Sequence, residues 1–148
     1  MTVTTTFLDV RADAKTIFGL ASATERWPEY LPHYRYVRIL EQKGSRRVVE
    51  MAARRGWIPI RWTAEQTNDA SRPHIAFRHV RGWTRGMEVE WRFEPISDGT
   101  RVSIEHRLEF RFPIAARWLG RHVVSDFFID YVARRTLARM KALAETGC

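Results

Sequence analysis

Polar and apolar residues alternate most strictly in the second half of the chain. Met87, Val89, Trp91 and Phe93 fall on one side of a two-residue period, with Glu88, Glu90, Arg92 and Glu94 on the other. Val102, Ile104, His106, Leu108, Phe110 and Phe112 then alternate with Arg101, Ser103, Glu105, Arg107, Glu109 and Arg111. That period predicts strands over 87–96 and 101–112, buried on one face and wet on the other. The turn Ser97-Asp98-Gly99 joins them as a hairpin. Upstream, 34–42, 47–55, 60–68 and 74–81 read as four more strands, separated by Lys43-Gly44-Ser45, Gly56, Asp69-Ala70-Ser71 and Gly82. Successive hairpins of this kind predict an antiparallel meander.

Helical spacing appears in two places. After a first strand over 3–10, Asp13 is a candidate N-cap, and Ile17, Phe18 and Ala21 recur at helical intervals. Thr24 is a candidate cap for a second short helix through Trp27-Pro28-Glu29-Tyr30, stopped by Pro32. The segment 114–145 is predicted as one long helix. Val124, Phe127, Phe128, Tyr131 and Val132 form a broad apolar stripe that Leu137, Met140 and Ala144 continue. So apolar a helix needs a partner, and the concave face of a twisted antiparallel sheet is the only large one the pattern offers.

The order strand, two short helices, six-strand meander and long helix resembles an α+β helix-grip fold, that of the START-like, Bet v 1-like superfamily, and within it the polyketide cyclase/dehydrase family. Trp27-Pro28-Glu29-Tyr30 before Pro32, Gly99-Thr100-Arg101-Val102 and Arg139-Met140-Lys141-Ala142-Leu143 carry the likeness, which spans residues 1–148 as a single domain. The resemblance implies a curved sheet (β-α-α-β6-α) wrapped around the long helix, with an internal hydrophobic cavity between them. Parity and helical phase independently turn Trp62, Phe77, Met87, Trp91, Phe93, Phe110, Phe127, Phe128 and Tyr131 toward that space. They either fill a solid core or line a ligand pocket, and so aromatic a lining favours a pocket of several hundred Å3.

Two histidines share the inward parity of otherwise apolar strands, His79 beside Ile75 and Phe77, and His106 beside Ile104 and Leu108. Desolvation holds such groups neutral at pH 7, able both to donate and to accept. The alternative is a hydrogen-bonded core role. No histidine spacing suits a metal, and neither a metal nor a redox cofactor is expected. The resemblance to aromatic polyketide cyclases implies three polar positions that steer ring closure. Tyr34 matches the tyrosine; Gln66 stands at the arginine position, on the parity of Trp62 and Ala64, and Thr136 at the asparagine position. Gln66 can hydrogen-bond a carbonyl but cannot stabilise an enolate as a cation would. Asp126, Asp130 and Arg134 are spaced as an ion-paired helix face, and Glu50 faces ambiguously.

Composition narrows the partners. The 148 residues are 45% hydrophobic and 28% charged, which excludes a disordered chain. Cys148 alone rules out a disulfide framework, and no apolar run reaches the roughly 18 residues of a membrane span. The N-terminus lacks a signal-peptide pattern, so a cytoplasmic setting is expected. The net charge is +8, and 22 of the 25 basic residues are arginine. Because outer strand faces mix both signs, nucleic acid is not an expected partner. The expected ligand is a hydrophobic small molecule (a polyketide, or alternatively a lipid, isoprenoid or quinone), in a monomer or dimer. Arg54-Arg55-Gly56-Trp57 and Arg81-Gly82-Trp83-Thr84-Arg85 are basic–aromatic loop clusters. They are plain exposed charge, or docking points for an acidic acyl carrier protein or an anionic head group. Arg117-Trp118-Leu119-Gly120-Arg121 suits a membrane surface or a dimer interface.

Overall fold

A computed structural model describes residues 2–82, 84–108 and 131–146. Strand β1 (Thr2–Val10) leads into helix α1 (Ala14–Ser22), a 3-10 turn (Thr24–Arg26) and the single-turn helix α2 (Trp27–Tyr30). Six strands follow: β2 (Tyr34–Lys43), β3 (Arg46–Arg55), β4 (Ile58–Asp69), β5 (His74–Arg81), β6 (Glu88–Ile96) and β7 (Gly99–Leu108). A π-helical turn at 131–133 enters helix α3 (Arg134–Glu145).

All seven strands form one antiparallel sheet in the order β1-β7-β6-β5-β4-β3-β2. The meander is the predicted one. The addition is the place of β1, which pairs with β7 at one edge, Thr6 opposite Ile104, while the helical connection leads to β2 at the other edge. Gly99 makes that corner possible, since a Cβ there would lie 2.1 Å from the Val10 carbonyl oxygen. Thr100 Oγ1 donates to the Ala12 carbonyl at 2.8 Å and holds the same corner from the other side.

The helices follow their sequence signals with one difference. Asp13 caps α1, its carboxylate accepting from the Thr16 amide at 2.7 Å, a contact worth about 1 kcal/mol. Thr24 is not a cap. It opens the 3-10 turn, fully buried, and its hydroxyl turns toward β4 instead. Helix α3 buries Thr136, Leu137, Met140 and Ala144. Its far end is tied down by Lys141 Nζ, which donates to the Asp9 carbonyl at 2.9 Å. The predicted strand residues 109–112 and the earlier part of the predicted long helix lie outside the described residues.

The convex face carries the charge in pairs. Arg92 bridges Glu90 and Glu105 at 2.6 and 2.8 Å, Arg107 meets Glu90 at 2.6 Å, and Arg46 meets Glu65 at 2.9 Å. The alternation read from the sequence thus leaves one face ion-paired in water and the other buried against the helices.

Candidate functional site

Neighbouring strands place their inward side chains in rows. Trp62 and Ala64 on β4, Phe77 and His79 on β5, Val89 and Trp91 on β6, and Ile104 and His106 on β7 all face the helices and are buried. Trp27 projects from α2 into this concavity and meets Tyr34, Trp91 and Phe77 at ring-centroid distances of 5.1, 5.9 and 6.3 Å. The prolyl bond at Pro28 and the burial of Leu31 hold that single turn in place.

Between the sheet and the start of α3 a void of about 50 Å3 remains. Of the residues expected there, it is lined by Tyr34, Trp62, Phe77, His79, Met87, Trp91 and His106. Trp27, Met51, Val132, Ala133 and Thr136 complete much of the wall. The volume holds a water or two and is far below the several hundred Å3 expected. Aromatic packing is the reason: Trp27 and Tyr34, itself 6.1 Å from Trp62, occupy the space that a flat reading of the strands leaves open.

Three polar side chains give the void its chemistry. His79 lies parallel to the Trp62 ring, centroids 5.7 Å apart, and its Nδ1 is 2.7 Å from Thr84 Oγ1. The β5–β6 connection delivers that threonine, because the Gly86 amide donates to the His79 carbonyl and the His79 amide to the Met87 carbonyl. Burial, and the neighbouring His106, push the His79 pKa down to about 3. Burial alone lowers His106 to about 4. Both imidazoles are therefore neutral at pH 7. Burial raises the Tyr34 phenol far above its ordinary value and keeps it protonated. His106 Nδ1 is buried without a hydrogen-bond partner among the described residues, a cost that native interiors rarely carry without a reason.

Gln66 and Phe93, two residues expected in the lining, are placed elsewhere. Phe93 packs edge-on against Phe18 of α1, 5.8 Å between centroids. Gln66 is fully buried in a hydrogen-bonded latch. Its Oε1 accepts from Thr24 Oγ1 at 2.7 Å and from Arg47 Nε at 3.3 Å. Its Nε2 donates to the Ser22 carbonyl and to Asn68 Oδ1, both at 2.9 Å. Arg47 itself reaches Ser22 and Thr24 and pairs with Glu25 at 2.8 Å. Parity turns Gln66 inward as predicted, but the end of α1 and the 3-10 turn lie over it, and Ser22, Thr24, Arg47 and Asn68 between them take both of its amide atoms. Arg47 was legible by the same parity, sharing a face with Val49 and Met51.

Tyr131, also expected in the lining, belongs to a second cleft outside the void. That cleft, about 770 Å3, is walled by His33, Arg54, Tyr131, Arg135 and Arg139, without a carboxylate among its described residues. His33 Nε2 and Thr136 Oγ1 are 3.0 Å apart, and this buried pair separates the cleft from the inner void. Burial, then the nearby Arg135, lowers His33 to about 4. The sequence reading missed His33 because His33 and Tyr34 are both buried at the strand entrance, where period 2 does not yet apply. Phe110, Phe127, Phe128, Asp126, Asp130 and the 117–121 segment lie outside the described residues. Among the described residues no three potential metal ligands converge, and no helix is long and apolar enough to cross a membrane.

A curved antiparallel sheet closed over a C-terminal helix, with neutral polar groups on its concave face, defines the helix-grip class. Within it the chain belongs to the polyketide cyclase/dehydrase and lipid transport family, whose model matches residues 10–141. Similar solved structures include the ZhuI aromatase/cyclase from Streptomyces sp. R1128, with 19% identity over 97% of this chain and 93% of that one (TM-score 0.85). TTHA0849 from Thermus thermophilus is 21% identical over 99% of both chains (TM-score 0.83). A START superfamily protein from Mycobacterium smegmatis is 16% identical over 95% of this chain and 98% of that one (TM-score 0.73). At these identities the likeness is one of fold. No curated protein sequence matches the chain.

Proposed function

We propose that the protein takes a hydrophobic small molecule between sheet and α3 and promotes cyclisation and dehydration of a poly-β-ketone there. The observation that carries this reading is the buried Nδ1 of His106, unpartnered among the described residues, beside His79 and Tyr34 on one void. Family membership supports it. In the aldol step, an imidazole nitrogen takes a proton from a methylene between two carbonyls, and the protonated Tyr34 hydroxyl donates to the forming enolate oxygen. The carbanion attacks a second carbonyl carbon, whose oxygen recovers the proton from the imidazolium. Loss of a second methylene proton together with the new hydroxyl, as water, completes the dehydration. Confinement of a flexible chain to one folded geometry supplies a large share of such a rate. At about 50 Å3 the void must widen to admit a substrate, and the His33–Thr136 contact is where the inner void meets the larger cleft.

A second reading, a carrier for a lipid, isoprenoid or quinone, is favoured by one observation. The only side chain at the expected cation position, Gln66, is locked in the latch, and the inner lining holds no arginine or lysine among its described residues. Native mass spectrometry of gently purified protein, with extraction of any mass lost on denaturation, separates the two. A co-purified lipid or quinone supports the carrier. For the cyclase, poly-β-ketone turnover is expected to fall about 10²–10⁴-fold in His106→Leu and to drop in Tyr34→Phe. Unchanged turnover in both variants would remove the acid–base assignment.

A further inference from the structure

Ion pairing divides the arginines by position. Arg46, Arg92, Arg101 and Arg107 on the sheet are matched. Arg35, Arg54, Arg61, Arg81 and Arg85 are exposed, and none forms an ion pair with a described residue. These five gather at one end of the sheet. Arg54 and Arg61 flank the β3–β4 turn, and the Arg54 amide donates to the His33 carbonyl, next to Arg35. The β5–β6 connection, with Arg81 and Arg85, lies against β4 at Arg61, since a Cβ on Gly82 would sit 3.0 Å from the Arg61 carbonyl oxygen. The stretches 51–64 and 70–87 contain no acidic residue at all. The opposite end holds Asp9, Asp13, Asp69, Asp98 and Glu145 near its turns and corners.

At the tip of the arginine-rich end stands the most exposed large apolar side chain of the described residues. Trp57 is 89% exposed and Ile58 48% exposed, on a turn that Gly56 makes with φ of 61°. A tryptophan held in water beside an isoleucine costs solubility and adds nothing to the core. On the same end of the sheet as Arg54, Arg61, Arg81 and Arg85, however, it has the composition of a headgroup-level anchor, with an amphipathic ring seated among lipid headgroups and cations facing anionic lipid. Arg54 and Gly56 also wall the 770 Å3 cleft, so docking by this tip would turn that cleft toward the bilayer.

We propose that the β3–β4 tip docks the protein on anionic bilayers, with Trp57 and Ile58 entering the interface and Arg54, Arg61, Arg81 and Arg85 facing the lipid charge. Whether the bound ligand is transformed or only carried does not enter this inference.

The test is co-sedimentation with phosphatidylcholine vesicles, with and without 30% phosphatidylglycerol, at low and high salt. Binding is expected only to the anionic vesicles and is expected to fall with salt. Trp57→Ala is expected to weaken it about tenfold, and Arg61→Gln and Arg85→Gln about fivefold each. Arg101→Gln removes the same charge at the opposite end and is expected to leave binding within about twofold of the parent, because the field decays within a Debye length. All four side chains are on the surface, and unchanged melting curves establish that each variant is folded. Equal sedimentation with neutral and anionic vesicles, parent-like binding by Trp57→Ala, or an Arg101→Gln loss equal to that of Arg61→Gln would each overturn the proposal. So would binding to no vesicle at all.

Discussion

Two buried polar clusters share the concave face of one sheet, and they differ in what they leave unsatisfied. Around Gln66, the side chains of Thr24, Arg47 and Asn68 and the Ser22 carbonyl use its amide oxygen and nitrogen completely. Around His106, a ring nitrogen has no partner among the described residues, and the groups beside it line a void. The first arrangement pins the 3-10 turn to the sheet and has no capacity left for a ligand. The second retains donor and acceptor capacity where a small molecule can reach it. A buried polar residue on the inward face is therefore not a site in itself; its unsatisfied valence is what distinguishes the two.

The comparison is sharpest in acid. His33, His79 and His106 have folded-state pKa values lowered to about 4, 3 and 4 from 6.5. The unfolded chain thus binds more protons as pH falls, and stability present above pH 6.5 drains away between about 6.5 and 3. For His106 alone the loss is on the order of 3 kcal/mol. Urea melts at pH 7.5, 5.5 and 4.5 measure it. His106→Leu is expected to reduce that dependence, the shares of His33 and His79 remaining, while leaving stability at pH 7.5 within about 1 kcal/mol of the parent, since it removes a buried polar atom that no described residue satisfies. A large loss at pH 7.5 would mean that His106 is a structural residue like Gln66.

Gln66→Leu is the converse experiment. It removes the acceptor of the buried Thr24 hydroxyl and of Arg47 Nε and leaves Arg47 as the side chain that still reaches the Ser22 carbonyl, so a loss of about 1–3 kcal/mol is expected in the same urea melts. Bound ligand and any turnover should be unaffected at temperatures where the variant is folded. If activity falls while stability holds, the latch is part of the site after all. The smallest effect is expected on the convex face. Arg92→Gln breaks contacts to Glu90 and Glu105, yet thermal melts should show a change below about 1 kcal/mol, because exposed pairs gain little over water.

Much of this was legible residue by residue. The strict alternation of 87–96 and 101–108 announced both strands and their buried faces, since a period of two admits a single buried side. Asp13 announced its helix, and the inward parity of His79 and His106 announced their burial. The expected pocket was less legible. Parity says which way Trp62, Phe77 and Trp91 point, but not that Trp27 fills the space between them. Trp27 belongs to a four-residue helix with too few positions to show a period.

The sequence by itself therefore determined the strands, their faces and the family, because these depend on near neighbours along the chain and on a pattern repeated many times. Tertiary structure decided three things that depend on residues far apart. It paired β1 with β7. It placed Ser22 and Thr24 over Gln66, which turned a candidate ligand contact into a latch. It left His106 Nδ1 without a partner among the described residues, and it brought Arg35, Arg54, Arg61, Arg81 and Arg85, which form no ion pair with a described residue, to the end of the sheet that carries Trp57. Whether a buried polar atom is satisfied, or an arginine paired, is set by which groups packing brings within about 3 Å, and no local pattern encodes that distance.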